Sequence, residues 1–259
     1  MRTDWNKVAK WYGKHVQGSS SFQNTTIFPQ TMALLQPAAH QRILDIACGE
    51  GSFALKLAST HRVTVVGFDS AAQLITQAKD QAKQKRSQEV MFMLGDATHF
   101  PAAVSEQRYD AATCILALQN IGDYTRVFKE TASVLKPGGK FVIVLNHPCF
   151  RPPKQSGWGF DDQRKLQYRR IDTYLSPYHV ALEAHPGKRQ SDSTVSFHEP
   201  LQHYVSGLAK AGFMIDALEE WQSNRTSQPG GRAKAENRSR QEFPLFMAIR
   251  ARYQGRATA

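Results

Sequence analysis

Apolar runs alternate with helix-patterned stretches along the first 147 residues. "QRILDIA" (41–47), "VTVVGFD" (63–69), "VMFMLGD" (90–96), "YDAATCILAL" (109–118) and "KFVIVLNH" (140–147) are nearly continuous in apolar residues, which predicts strands buried on both faces. Helices are predicted between them. "SFALKLAST" (52–60) and "SAAQLITQAKDQAKQK" (70–85) each open on a serine placed as an N-cap, and in the second Leu74, Ala78 and Ala82 share one face. "YTRVFKETASVL" (124–135) is amphipathic and is stopped by Pro137 and Gly138. Strands joined by helical crossovers imply a parallel sheet covered on both sides, with right-handed connections.

After Asn146 the rhythm breaks. Residues 148–197 are polar, aromatic and rich in Pro and Gly, too long for a plain connection, so a functional insertion or lid is expected. A helix then follows at 201–212 with Gly212 as its stop, a strand at 213–220 and a last strand at 242–253. The polar stretch 221–241 between those strands reads as a long, mobile hairpin loop. The chain is expected to be a single domain: a helical cap (1–37) anchored by Trp5, Tyr12 and Phe28, a core (38–147), the insertion, and a C-terminal helix and strands (198–259).

Composition narrows the class. The 41% hydrophobic and 21% charged residues are those of an ordinary globular chain. Cys48, Cys114 and Cys149 lie far apart with no C-x-x-C pair, which argues against a zinc knuckle or a disulfide framework and fits a reducing, cytoplasmic setting. The N-terminus has no apolar signal core, and the apolar runs are too short to span a bilayer, so no membrane partner is expected. A net charge of +11 favours anionic partners, RNA among them.

Candidate chemistry centres on "LDIACGEGSFA" (44–54), a strand running into a glycine turn and a helix. Gly49, Gly51 and Ala54 fit G-x-G-x-x-G/A, the dinucleotide pattern, whose pyrophosphate sits on a helix N-terminus. Asp45 and Glu50 crowd this turn, and two carboxylates repel a pyrophosphate. They suit a ligand with an ammonium and a sulfonium and no phosphate, which describes S-adenosylmethionine. Asp69 ends the second strand, placed to accept both ribose hydroxyls, and Asp96 ends the third, placed for the adenine amino group with the Ala97 amide on a ring nitrogen.

"LDIACGEGSFA", "VVGFDSA", "LGDATHFP", "YDAATCILALQNI" and "LKPGGKFVIV" together resemble the class I S-adenosylmethionine-dependent methyltransferases of the broad methyltransferase domain 11 type, over about residues 38–147. The resemblance implies a Rossmann-like α/β fold: a seven-stranded, mostly parallel sheet of order 3-2-1-4-5-7-6 with an antiparallel last strand, helices on both faces, an N-terminal helical cap and a large insertion after strand 5. It also implies cofactor roles. Asp45, Ala47, Gly49 and Gly51 hold the methionine portion, Asp69 with the adjoining Ser70 the ribose, and Asp96 with Ala97 the adenine. Gln119 and Asn120 lie near the reacting methyl. The family commonly has Gly where Ala47 stands.

Methyl transfer requires an aligned nucleophile and, where it is protonated, a base. His147, at the end of the fifth strand, and His198, at a helix start, are the candidate catalytic residues. Tyr12, Arg151, Trp158 and Tyr168 are candidate substrate contacts, Arg151 for an anionic group and the aromatics as a wall. The spacing of His147, His198 and His203 matches no metal pattern, so no metal is expected. Pro148–Cys149 resembles a catalytic Pro-Cys but follows the fifth strand where that motif follows the fourth.

The leading reading is an enzyme that methylates an O, N or C atom of a small molecule. The alternative is an RNA methyltransferase using the basic 221–256 region, with Arg225, Arg232, Lys234, Arg238 and Arg240 on phosphates. A non-catalytic cofactor-binding module and a dehydrogenase stand behind these.

Overall fold

A computed structural model describes Trp5, Asn6, Gly18 and residues 20–183 and 193–255. The predicted alternation is present. A π-helical turn, Gln23–Ile27, leads into α1 (Phe28–Leu35), followed by β1 (Arg42–Ile46), α2 (Ser52–His61), β2 (Thr64–Asp69), α3 (Ala72–Gln84), β3 (Val90–Leu94), the short α4 (Ala102–Ser105), β4 (Tyr109–Ile115), α5 (Tyr124–Val134) and β5 (Leu135–Asn146). Two hairpins follow, β6 (Ser156–Asp161) with β7 (Leu166–Ile171) and β8 (Tyr178–Glu183) with β9 (Ser193–His198). The chain closes with α6 (Leu201–Lys210), β10 (Phe213–Trp221), α7 (Ala233–Glu242) and β11 (Phe246–Tyr253).

The main sheet has the order β10-β11-β5-β4-β1-β2-β3. Its first five strands are parallel, and β11 runs antiparallel between β5 and β10. This is the expected order, with β10 and β11 as the sixth and seventh strands of the sheet. Two apolar layers flank it. Leu44, Ile46, Phe68, Phe128, Phe141 and Leu208 pack on one face, and Ile43, Val65, Leu57, Val142, Val144 and Phe28 on the other. Strands buried on both sides explain why each reads as a continuous apolar run.

Local expectations are corrected in four places. Ser52 and Ser70 do not cap their helices: Gly51, at φ 80°, caps α2, and Ala71 occupies the cap position of α3 while its amide donates to Asp69. At β5 the strand begins earlier, at Leu135 opposite Tyr109, and the Lys136–Gly139 segment bulges out before pairing resumes at Lys140 opposite Ala111, with Gly138 at φ 78°. The insertion contains two hairpins, which its Pro- and Gly-rich pattern did not announce. Finally, the polar 221–241 stretch holds α7, whose Ser239 donates to the Gln167 carbonyl of β7 at 2.9 Å and whose preceding Arg232 lies over the Phe160 ring at 4.4 Å. Polar helices of this kind form when tertiary contacts hold them, so the pattern alone gave no signal.

Of the expected cap anchors, Phe28 is buried against Phe53, with ring centroids 5.4 Å apart, and Trp5 packs on Ala71 and Leu74. Tyr12 lies outside the described residues.

Candidate active site

The carboxyl ends of β1, β2, β3 and β4 meet at one edge of the sheet, where an open α/β fold binds ligands. A cavity of about 760 Å³ opens there. Ala47, Gly49, Asp69, Ser70, Asp96, Ala97 and Asn120 line it, all of them expected from the sequence. Gly95, Thr98, Leu116, Ile121, Arg126 and Phe197 also line it and were not expected.

The turn after β1 is held by backbone geometry. Ala47 has φ 54° and Gly49 φ 58°, both left-handed. The Gly49 amide donates to Asp69 Oδ2 and the Ala71 amide to Asp69 Oδ1, each at 2.9 Å. Asp69 thus ties the glycine turn to the start of α3, while lining the cavity. Gly51 has another task. A Cβ there would stand 2.5 Å from the Phe92 ring, so this glycine lets α2 close on β3 and does not line the cavity.

Asp45 lies beneath the turn and is 2% exposed. Thr113 of β4 donates its hydroxyl to Asp45 Oδ1 at 2.8 Å, while Oδ2 is buried without a partner among the described residues. A small cavity beside the main one, sharing Ala47, Ile115 and Leu116 with it, is lined by Asp45 and Glu50. Burial pushes the Asp45 carboxyl up to about 7, partly opposed by the Thr113 hydrogen bond and reinforced by Asp69 and Glu50. Burial also raises Glu50 and Asp69, opposed at Glu50 by the Ser52 hydrogen bond and at Asp69 by the amides of Ala71, Gly49 and Ser70. Gln119 donates Nε2 to the Leu116 carbonyl at 2.9 Å, and its Oε1 is a second buried acceptor without a partner. Acids crowded under a turn, with acceptors left over, call for a cationic ligand and disfavour a pyrophosphate.

Asp96 accepts from the Thr98 amide and hydroxyl through Oδ1, both at 2.8 Å, which fixes the loop after β3. Asn120 donates to the Leu116 carbonyl at 3.3 Å, across a turn in which Leu116 has φ 52°. The far wall is apolar, from Ile115, Leu116, Ala117, Ile121 and Phe197.

Several expected residues stand elsewhere. His147 is not among the cavity-lining residues. It is buried at the end of β5, with Nε2 on Glu220 Oε1 at 2.7 Å and Nδ1 accepting the Cys149 amide at 3.2 Å. Burial lowers its pKa, with Glu220 opposing. His198 is also buried away from the cavity, with Nε2 2.6 Å from the Tyr174 carbonyl oxygen. Its neighbour Phe197 takes the cavity face because alternate residues of a strand point to opposite sides. Arg151 donates to Asn146 at 3.3 Å and lies over the Phe246 ring. Trp158 packs beneath Arg169 and beside Phe243, and the Tyr168 ring covers Gly159. These three residues hold the insertion together and do not line the cavity. Among the described residues, no group of three or more His, Cys, Asp and Glu is placed to hold a metal ion, and no helix is long and apolar enough to cross a membrane.

One missed residue was legible. Thr113 is the one residue with a hydroxyl side chain in the apolar core of "DAATCIL", level with Asp45 on the neighbouring strand. Phe197 and Arg126 carried no comparable signal.

The fold and this site define an α/β protein with an acid-lined cavity at its strand ends, suited to a cationic ligand. Residues 37–150 match the model of a methyltransferase domain family. A 2-phytyl-1,4-naphtoquinone methyltransferase of Synechococcus elongatus is 29% identical over 175 residues, which cover 66% of this chain and 70% of that protein. A demethylmenaquinone methyltransferase of Deinococcus radiodurans is 34% identical over 130 residues, covering 49% of this chain and 51% of that protein. Among solved structures, an S-adenosylmethionine-dependent methyltransferase from Mesorhizobium loti superposes with a TM-score of 0.67 at 23% identity, covering 86% of this chain and 96% of that one. Residues 37–150 therefore match a methyltransferase domain, and the chain shares the fold of S-adenosylmethionine-dependent methyltransferases, which supports S-adenosylmethionine as the cofactor.

Proposed function

We propose that this enzyme methylates an O, N or C atom of a small molecule held between the glycine turn and Phe197. The observation that carries the reading is the continuity of the cavity. One chamber of about 760 Å³ runs from Asp69 and Asp96 to an apolar wall at Ile121 and Phe197, large enough for two reactants side by side. The named relatives that methylate naphthoquinone-type compounds support a small-molecule acceptor.

The cofactor, when bound, supplies a methyl group on a positively charged sulfur. In this reading Asp45 and Gln119 take its ammonium end, Asp69 and Ser70 its ribose, and Asp96 and Ala97 its adenine. Leu116, Ile121 and Phe197 exclude water and align the acceptor. His147 and His198 act as positioning residues, fixing the root of the insertion from outside the cavity.

RNA is the second reading, on the charge of +11. Several of its candidate cations are engaged within the chain. Arg225 lies over Phe22 at 4.4 Å, Arg232 over Phe160, and Arg240 donates to Ser227. The test is cofactor labelled on its methyl group, incubated with the enzyme and an extract divided into small metabolites and RNA. Label in the metabolite pool is expected, and its product mass names the acceptor atom. Label confined to RNA overturns the small-molecule reading.

A further inference from the structure

The acceptor end of the cavity has a distinct chemical character. Ile121 and the aromatic Phe197 give it apolar lining, and Arg126 is the one cation among the described lining residues. Every other charged group of the lining is an acid: Asp69, Asp96 and Asp123.

Phe197 projects from β9 onto Gly122, where a Cβ would stand 3.2 Å from the ring, close enough that a larger residue there would shift the ring by a few tenths of an ångström. Behind it, the His198 ring lies against Tyr178 and Tyr174, and Tyr178 donates to the Pro153 carbonyl at 2.9 Å. The Phe197 ring itself lies on Gly122 and beside the His179 ring, with centroids 5.7 Å apart, at the cavity wall.

Arg126 has one edge engaged. Its Nε pairs with Glu130 at 3.0 Å, one helical turn on. Among the described residues no ion pair joins it to Asp123, whose Oδ1 is turned to the α5 cap, accepting the Arg126 amide at 3.0 Å and the Thr125 hydroxyl at 2.7 Å. The terminal nitrogens of a guanidinium suit a planar carboxylate, gripped in a fork. A phosphate dianion in the same chamber would meet greater repulsion from Asp69, Asp96 and Asp123. An anionic group on the acceptor has one favourable place in this lining, and that place is Arg126.

We propose that the acceptor is a flat aromatic compound bearing a carboxylate, its ring against Phe197 and Ile121 and its carboxylate on Arg126. This rests on the methyltransferase reading of the same site and names the substrate class for it.

The test uses two fluorescent probes that differ by one carboxylate, 3-hydroxy-2-naphthoate and 2-naphthol. The protein is first saturated with S-adenosylhomocysteine, whose binding is measured separately by calorimetry. The naphthoate is expected to bind about tenfold or more tightly than the naphthol, the scale of one charge-assisted contact. Arg126→Gln should erase that preference while leaving naphthol affinity unchanged, and Arg126→Lys should restore part of it. Phe197→Leu should weaken both probes. Equal affinity of the wild type for the two probes, or a preference that survives Arg126→Gln, overturns the proposal. Failure to bind S-adenosylhomocysteine at all would instead overturn the cofactor assignment beneath it.

Discussion

Asp69→Asn is the most informative single change. The carboxylate ends β2, is 7% exposed, and accepts a backbone amide on each oxygen, from Gly49 and from Ala71. The carboxamide keeps one acceptor and turns an NH₂ toward the other amide. One buried N–H then loses its partner, a cost of about 1–3 kcal/mol in stability. In the complex, a charged acceptor for the ribose is lost as well. Hydrogen bonds to charged groups contribute about 1.5–3 kcal/mol, which corresponds to roughly ten- to a hundredfold in Kd. The assay pairs urea unfolding without ligand with calorimetric titration of S-adenosylhomocysteine. Lower stability together with a Kd raised at least tenfold is expected. A wild-type Kd would refute the ribose role, and a wild-type unfolding midpoint would refute the tie between turn and helix.

Asp45, raised to about 7 against an unfolded value of about 3.9, binds its proton more tightly in the folded state. Its contribution is therefore fully present below pH ~4 and is lost as pH rises through 7. Asp45→Asn should flatten the fall in stability between about pH 4 and 7; an unchanged slope in urea titrations would exclude Asp45 as its source. Gly51→Ala should lower stability by about 2–4 kcal/mol, from the left-handed φ and the Phe92 contact together, and a thermal midpoint equal to wild type would contradict the packing described here. His147→Gln should cost about 1–3 kcal/mol of stability through the Glu220 and Cys149 contacts while changing turnover only a few-fold. A hundredfold loss of turnover at wild-type stability would return His147 to the role of catalytic base.

Much of the core was legible because burial on both faces leaves a simple record. β1, β2 and β4 read as apolar runs since helices cover both sides of them, and Asp69 and Asp96 stand out because an acid at the end of such a run has few purely structural reasons to be there. The hairpins of the insertion left a weaker record. In β6 and β7 only part of each face is covered, and Gly157 and Gly159 interrupt the alternation, Gly159 making room for the Tyr168 ring across the pair. The helix at Ala233–Glu242 left none, since its polar surface is stabilised by docking on β7 and not by its own pattern.

The sequence by itself determined the class of fold and the acids around the glycine turn, which follow from local periodicity and from strand ends that any α/β sheet gathers at one edge. The order of the strands followed from the resemblance to a known family and not from periodicity. Only the tertiary structure decided which distant side chains share the cavity with them. His147 ends the right strand, yet its ring turns to Glu220 on a strand more than 70 residues later. Phe197 comes from a hairpin whose register puts it, and not His198, over Gly122. Arg126 looks like an ordinary helix-surface cation until the loop after β4 brings its helix to the cavity wall. A side chain's direction is set by packing across elements far apart in the chain, and no local pattern encodes that.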